Sequence, residues 1–253
     1  MMHSFSKRKT KPPQTDVRGF ILWEGDSVLD GSPIVCIATL ETSNKKTGAM
    51  VQTWIIRTDL SPIEASKAKK DGAICGNCPH KHSVNGACYV NLGHAPRAVY
   101  DGYKRGIYPQ FDMTKHGQYL AHRYIRLGAY GDPSAVPFEV NAMLVNLGAG
   151  HTGYTHQIEH KNFDKRYMDI CQISADTPKQ ALKYQAMGAK TFRVAMANDS
   201  LYDSEIECLA DSKGLTCIQC RLCDGQTKNI AIVVHGARKE NFKSNLIQTI
   251  EVI

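Results

Sequence analysis

Two apolar runs stand out near the start of the chain. Residues 34–42 (IVCIATLET) and 51–58 (VQTWIIRT) are rich in β-branched and aromatic side chains, and the polar turn Asn44-Lys45-Lys46-Thr47-Gly48 separates them. This pattern predicts an N-terminal β-hairpin. Ser61-Pro62-Ile63-Glu64 then supplies an N-cap hydroxyl, a proline at the first helical position and a glutamate three residues after the cap. That signature predicts a helix running to about Lys70. Helical spacing follows at 96–105 and 113–123, and Tyr124–Gly128 reads as a short strand. Gly131-Asp132-Pro133 caps a predicted helix at 134–147, followed by strands at His151–His156 and 168–174. A capping box at Thr177–Gln180 opens a helix to Met187, which Gly188 ends before a strand at Thr191–Met196. Residues 229–235 (NIAIVVH) form a last buried strand.

Strands that alternate with helices build a parallel sheet, because a crossover helix joins parallel neighbours. The expected fold is therefore α/β, a parallel sheet with crossover helices behind an N-terminal β-hairpin, extending to a partial or complete TIM-like barrel. The length of 253 residues suits one such domain. Residues 1–15 are expected to be a disordered basic tail and 16–253 a single domain.

Composition narrows the function classes. With 42% hydrophobic and 22% charged residues the chain can bury a full core. No apolar run follows the first basic residues as a signal peptide requires, and none reaches the ~18 to 20 residues that span a bilayer. The expected location is the cytoplasm, with no membrane partner. Of the net charge of +7, Lys7, Arg8, Lys9 and Lys11 precede the first acid, Asp16, so the body is only mildly basic. Nucleic-acid binding is not the favoured reading of such a tail.

Nine cysteines without a secretory signal argue for metal binding rather than disulfides. Cys36 and Cys171 are isolated and read as small buried hydrophobes. The rest are grouped. Cys217-x2-Cys220-x2-Cys223 presents thiolates at intervals that wrap the corners of a four-iron, four-sulfur cubane, with Cys208 as the fourth ligand. Zinc more often takes two Cys-x2-Cys knuckles far apart. Ile218 and Leu222 are candidates for the apolar shell, and Arg221 for a donor to a cluster sulfide. Cys75-x2-Cys78-x9-Cys88 is less specific: His80, His82 or His94 could complete a Cys3His zinc site. If a cubane sits there instead, one iron lacks a protein thiolate, which suits catalysis or sensing and easy conversion to a three-iron form.

Cys75-Gly-Asn-Cys78-Pro79-His80, Cys88-Tyr89-Val90, Arg126-Leu127-Gly128-x-Tyr130-Gly131-Asp132-Pro133, Gly153-Tyr154-Thr155-His156-Gln157 and the Cys217 run resemble an uncharacterised family of tailed-phage proteins, similar to the gene-product-88-like proteins. The resemblance spans about residues 45–236 and implies a phage protein at work in the host cytoplasm. More distantly, three early cysteines ahead of alternating strands and helices, with a late four-cysteine group, are similar to radical S-adenosylmethionine enzymes that carry an auxiliary cluster. Those enzymes usually have Cys-x3-Cys-x2-Cys, and the gaps here are two and nine, so the S-adenosylmethionine expected from that likeness departs from its usual motif.

Ligands bind at strand ends in such sheets, which brings forward Asp132, Tyr154, His156 and Arg193 as cofactor-binding candidates. Asp132 before Pro133 also reads as a helix cap. The leading expectation is an iron–sulfur protein for electron transfer or radical chemistry, served by a redox partner. The alternative is a zinc-stabilised nucleic-acid-binding module that uses Arg97, Tyr100, Tyr103, Lys104 and Arg105 as a phosphate-and-stacking surface. Neither a Gly-rich phosphate loop nor a Gly-x-Ser-x-Gly elbow is present.

Overall fold

The computed structural model describes residues 17–196 and 199–242. The expected basic tail therefore lies outside the described residues. One sheet contains β1 (Gly19–Asp26), β2 (Pro33–Thr39), β3 (Val51–Arg57), β4 (Tyr124–Tyr130) and β5 (Gly150–Thr152), in that spatial order. The second contains β6 (Tyr154–Thr155), β7 (Gln172–Ala175), β8 (Thr191–Ala195), β9 (Glu205–Glu207) and β10 (Asn229–Val233), in the order β6-β7-β8-β10-β9. The helices are α1 (Pro62–Lys67), α2 (Gly72–Cys75), α3 (Ala95–Lys104), α4 (Met113–Leu120), α5 (Phe138–Leu147), α6 (Pro178–Ala186), α7 (Leu209–Ser212) and α8 (Cys217–Cys220).

The β2–β3 hairpin is antiparallel as expected, and from β3 onward every pairing is parallel. Crossovers through α1–α4, α5 and α6 connect these parallel strands, so the α/β class read from the alternation holds. The predicted strand 151–156 is divided at Gly153. The Gly153 N–H donates to the Cys223 carbonyl at 3.0 Å, and the Gly153 carbonyl accepts from the Gln172 N–H at 2.9 Å. A Cβ at this position would lie 2.7 Å from the Cys171 Sγ, so only glycine fits the seam between the sheets.

Several boundaries moved for local reasons. The strand β1 pairs antiparallel with β2, and a bulge between Ile21 and Trp23 breaks the alternation that would have marked it. Helix α1 has the expected capping box but stops at Lys67, since Lys69 turns left-handed (φ 55°) and the Lys70 N–H returns to the Ala65 carbonyl at 2.7 Å. The predicted helix 134–147 begins as a 3-10 turn at Pro133–Ala135, and Pro137 delays α5 to Phe138. In place of a strand from 168, Lys165–Asp169 is another 3-10 turn. It seats buried Tyr167 against the Pro133 and Val136 carbonyls, and β7 starts only at Gln172.

Cores lie on both sides of the first sheet. Val35, Ile37, Trp54 and Ile56 share one face and Ile34, Cys36 and Ile55 the other, all in one cluster with Ile74 and Val99, while Phe20, Val51, Ile125, Leu144 and Cys171 form a second cluster. Among the described residues, no helix is long and apolar enough to cross a membrane.

Candidate metal centre

The segment carrying the first cysteines follows β3 and lies over the C-terminal ends of the parallel strands. Cys75 ends α2, the Cys78 N–H donates back to the Cys75 carbonyl at 3.0 Å, and the Cys88 N–H donates to the His80 carbonyl at 2.9 Å. Asp71, buried beneath, accepts from the Ser83 N–H at 3.0 Å. Gly76 has φ 49°, and a Cβ there would meet the Gln157 Oε1 at 2.1 Å. The gap of nine residues is thus folded into a closed loop that returns Cys88 to the first two thiols.

The second group is built by two short helical pieces. Cys208 caps α7, and its N–H donates to the Ala231 carbonyl at 2.8 Å. Cys217 and Cys220 sit three apart on α8, which places them on one face. Thr216 and Gln219 form its capping box, and the Cys217 N–H donates to the Lys46 carbonyl at 2.8 Å. Arg221 turns left-handed (φ 61°), and the chain reverses so that Cys223 returns toward its neighbours.

Both groups open on one cavity of about 270 Å³, lined among others by Cys75, Cys78, Cys88, Cys208 and Cys217 together with Arg126, Asp132, Tyr154 and His156. Burial pushes the Cys75 thiol well up, and the adjacent Cys78 and Cys88 push it further. Burial likewise lifts Cys88 to about 11. It lifts Cys223 to about 12, with the Tyr154 hydroxyl pulling down and Cys208, Cys217 and Cys220 pushing up. Thiols gathered this way ionise readily only against a cation. Cys36, by contrast, rises to about 12 through burial alone, and Cys171 is also raised first by burial; both lie in apolar clusters.

The sulfur spacing bears on the metal. Zinc at about 2.3 Å from each sulfur holds its ligands within roughly 4 Å of one another. Among the described residues, no three of these sulfurs meet within 4.8 Å. The histidines expected as zinc ligands are engaged elsewhere. His80 Nε2 lies 2.6 Å from Asp176 Oδ1, His82 Nε2 lies 2.8 Å from the Val90 carbonyl, and His94 is exposed at the start of α3.

The strand-end candidates fall into different roles. Asp132 caps the Pro133 turn, accepting from the Ser134 N–H (3.0 Å) and hydroxyl (2.8 Å), while its other oxygen accepts from the His156 N–H at 2.9 Å. Tyr154 lines the cavity, hydrogen-bonds Cys223 and packs edge-on to Phe192 with centroids 4.6 Å apart. His156 hydrogen-bonds Cys78 and lies 3.4 Å from Asp176. Burial opposes its charged form, but Cys78 and Asp176 prevail and hold it well above the usual histidine range. Arg193 is not in the lining. Strand alternation turns Phe192 and Val194 to the cavity and Arg193 to the opposite face, where it is fully buried and bonds Glu205 at 2.8 and 2.7 Å.

The arginine beside the cysteines is also a different one. Arg221 donates from Nε to the Ile218 carbonyl at 2.8 Å and stacks on Tyr124. Arg126, on β4, instead faces Cys217 and Tyr154 and hydrogen-bonds the Tyr89 hydroxyl, while its Nε is buried without a hydrogen-bond partner. Leu222 packs on Cys208 and Cys223 as an apolar shell. Asp176 is absent from the sequence motifs, and Arg126 and Gln157 stand in them without a site role. Each lies in or at the end of a parallel strand, and that position was the usable signal.

Of the residues named for a nucleic-acid face, Arg105 is exposed at the end of α3. Tyr100 is in the core, Arg97 is paired with Asp101 at 2.8 Å, Tyr103 donates to Glu24, and Lys104 reaches the Thr58 carbonyl. Comparison with protein-family models, with curated proteins and with solved structures finds no match to this chain.

Proposed function

We propose that the chain is an iron–sulfur redox protein in which two cysteine groups serve one cavity. The observation that carries this reading is the shared lining: cysteines of both groups border the same space, so a reactant inside it lies next to both. Cys208, Cys217, Cys220 and Cys223 would hold a four-iron cluster, and Cys75, Cys78 and Cys88 a second with one iron free of protein thiolate. When bound, such clusters supply one-electron transfer.

The chain's own side chains prepare the site. Arg126 provides positive charge beside Cys217, with no carboxylate paired to it among the described residues, which suits an anionic thiolate group. Tyr154 donates to Cys223, and a donor to a ligating sulfur stabilises its anionic form. Phe192 lines the cavity beside Tyr154, and Leu222 packs in the apolar cluster of Cys208 and Cys223.

Iron and acid-labile sulfide measured on anaerobically purified protein test this proposal. The expected result is a brown protein with a broad charge-transfer band and both elements present. A colourless protein with stoichiometric zinc after anaerobic reconstitution would overturn it.

A further inference from the structure

A second constellation lies beside the cysteines and does not use them. His80 follows the Cys78-Pro79 turn, His156 follows β6 directly, and Asp176 follows β7 directly. Adjacent parallel strands therefore deliver two of the three side chains to the same sheet edge. The His80 Nε2 is 2.6 Å and the His156 Nε2 3.4 Å from one oxygen, Asp176 Oδ1, and the three ligand atoms lie within 4.8 Å of one another. Bonds of about 2.0–2.2 Å to a shared ion place neighbouring ligand atoms about 3 to 3.6 Å apart, so small side-chain adjustments accommodate one.

We propose that His80, His156 and Asp176 form a mononuclear site for a divalent first-row transition metal, with open positions toward a second cavity. Two imidazoles and one carboxylate suit such ions, and three protein ligands leave room for an exogenous one. The second cavity, about 240 Å³, is bordered by all three residues and by Glu159, Gln180 and Tyr184. Their side chains are only 11%, 20% and 14% exposed for His80, His156 and Asp176, so the group is shielded without being sealed.

Two of the ligands have their backbones held in place. The His156 N–H is fixed by Asp132 at 2.9 Å, and the Asp176 N–H by the Gln180 side chain at 2.9 Å. The His80 ring stacks on Phe242 with centroids 5.3 Å apart, which limits its rotation. His80 and His156 border both cavities, so an ion here stands between the cysteine-lined space and the second one. None of its three ligands is a cysteine, although His156 also hydrogen-bonds Cys78.

Full-length reduced protein, freed of metal by chelation, is titrated with Co²⁺ and compared with Asp176→Asn and His80→Gln. Cobalt on nitrogen and oxygen gives weak visible bands, whereas cobalt on thiolate adds an intense near-ultraviolet charge-transfer band. Each variant is expected to bind one equivalent fewer than the wild type, with the thiolate band unchanged. The proposal is overturned if both variants bind as many equivalents as the wild type, or if the lost equivalent carries the thiolate band. Cobalt-edge X-ray absorption of the wild type decides without a variant: a first shell made only of sulfur overturns the proposal, and an equivalent with nitrogen and oxygen alone supports it.

Discussion

The side-chain amide of Gln157 donates to the carbonyl of Cys75 at 2.9 Å, across 82 residues of chain. Its oxygen accepts from the Asn77 N–H at 3.0 Å, and the side chain is fully buried. Gln157→Ala strips the Asn77 N–H of its partner and takes one of two donors from the Cys75 carbonyl, which keeps the Cys78 N–H. Denaturant unfolding should show a loss of about 1–3 kcal/mol. Iron at the first group should fall while iron at the second is kept. Unchanged stability would detach Gln157 from the loop.

Cys217→Ser, Cys220→Ser and Cys223→Ser should each remove one cluster and lower stability, because metal binding and folding of the surrounding loop are linked. Cys36→Ser should leave iron per chain unchanged, since Cys36 lies in the apolar core of the hairpin sheet. Elemental analysis of the four proteins separates ligands from core thiols. Equal iron loss in Cys36→Ser would overturn this division.

Tyr154→Phe keeps the packing on Phe192 and deletes the hydroxyl that bonds Cys223. One such bond is worth about 1 kcal/mol, or roughly 40 mV for a single electron. The midpoint potential of the four-cysteine group should become more negative with iron content intact. Potentiometric titration followed by electron paramagnetic resonance reads the shift, and an unmoved potential refutes it.

The folded Cys36 thiol ionises only near about 12, against about 8.5 in an unfolded chain. The folded state therefore keeps a proton that the unfolded state gives up above pH ~8.5. The stability this confers is complete below that pH and is lost as pH rises toward 12, by up to about 1.4 kcal/mol per pH unit. Metal-free wild type should lose stability more steeply over this window than Cys36→Ala. Parallel slopes in urea unfolding would contradict it.

Arg193 and Glu205 are both wholly shielded from solvent and 2.7 Å apart. Glu205→Gln removes the nearer of the two carboxylates on the guanidinium, leaving Asp199 at 3.6 Å, and should cost up to about 3 kcal/mol. Cluster stoichiometry in the folded fraction should be unchanged, because neither side chain borders the cavity. A selective loss of iron would return Arg193 to the site.

Capping and turn chemistry made much of this fold legible in the sequence. Ser61 closes its capping box and the Asn44–Gly48 turn separates β2 from β3, whereas Thr177 caps its helix but the Gln180 side chain turns to the Asp176 N–H instead of closing the box. What was hidden depends on distant partners. The bulge in β1 is defined by β2, and the delay of β7 to Gln172 is set by Tyr167 docking on the Pro133 turn. The cysteine groups were visible by spacing, but their common cavity was not, since 120 residues separate Cys88 from Cys208. Arg193 and Arg126 show the limit of the strand-end rule. Which face a residue takes depends on register, and one position along β8 changes cavity to core.

The seam at Gly153 also sets an order of assembly. Its N–H is satisfied by the carbonyl of Cys223, while Cys217 is anchored to Lys46 in the hairpin turn. A chain emerging from the ribosome can pair β2 with β3 early, yet the join between its two sheets waits for residue 223. Under the proposed function, metal uptake by the late cysteines would be coupled to this join, with β10 still to enter between β8 and β9.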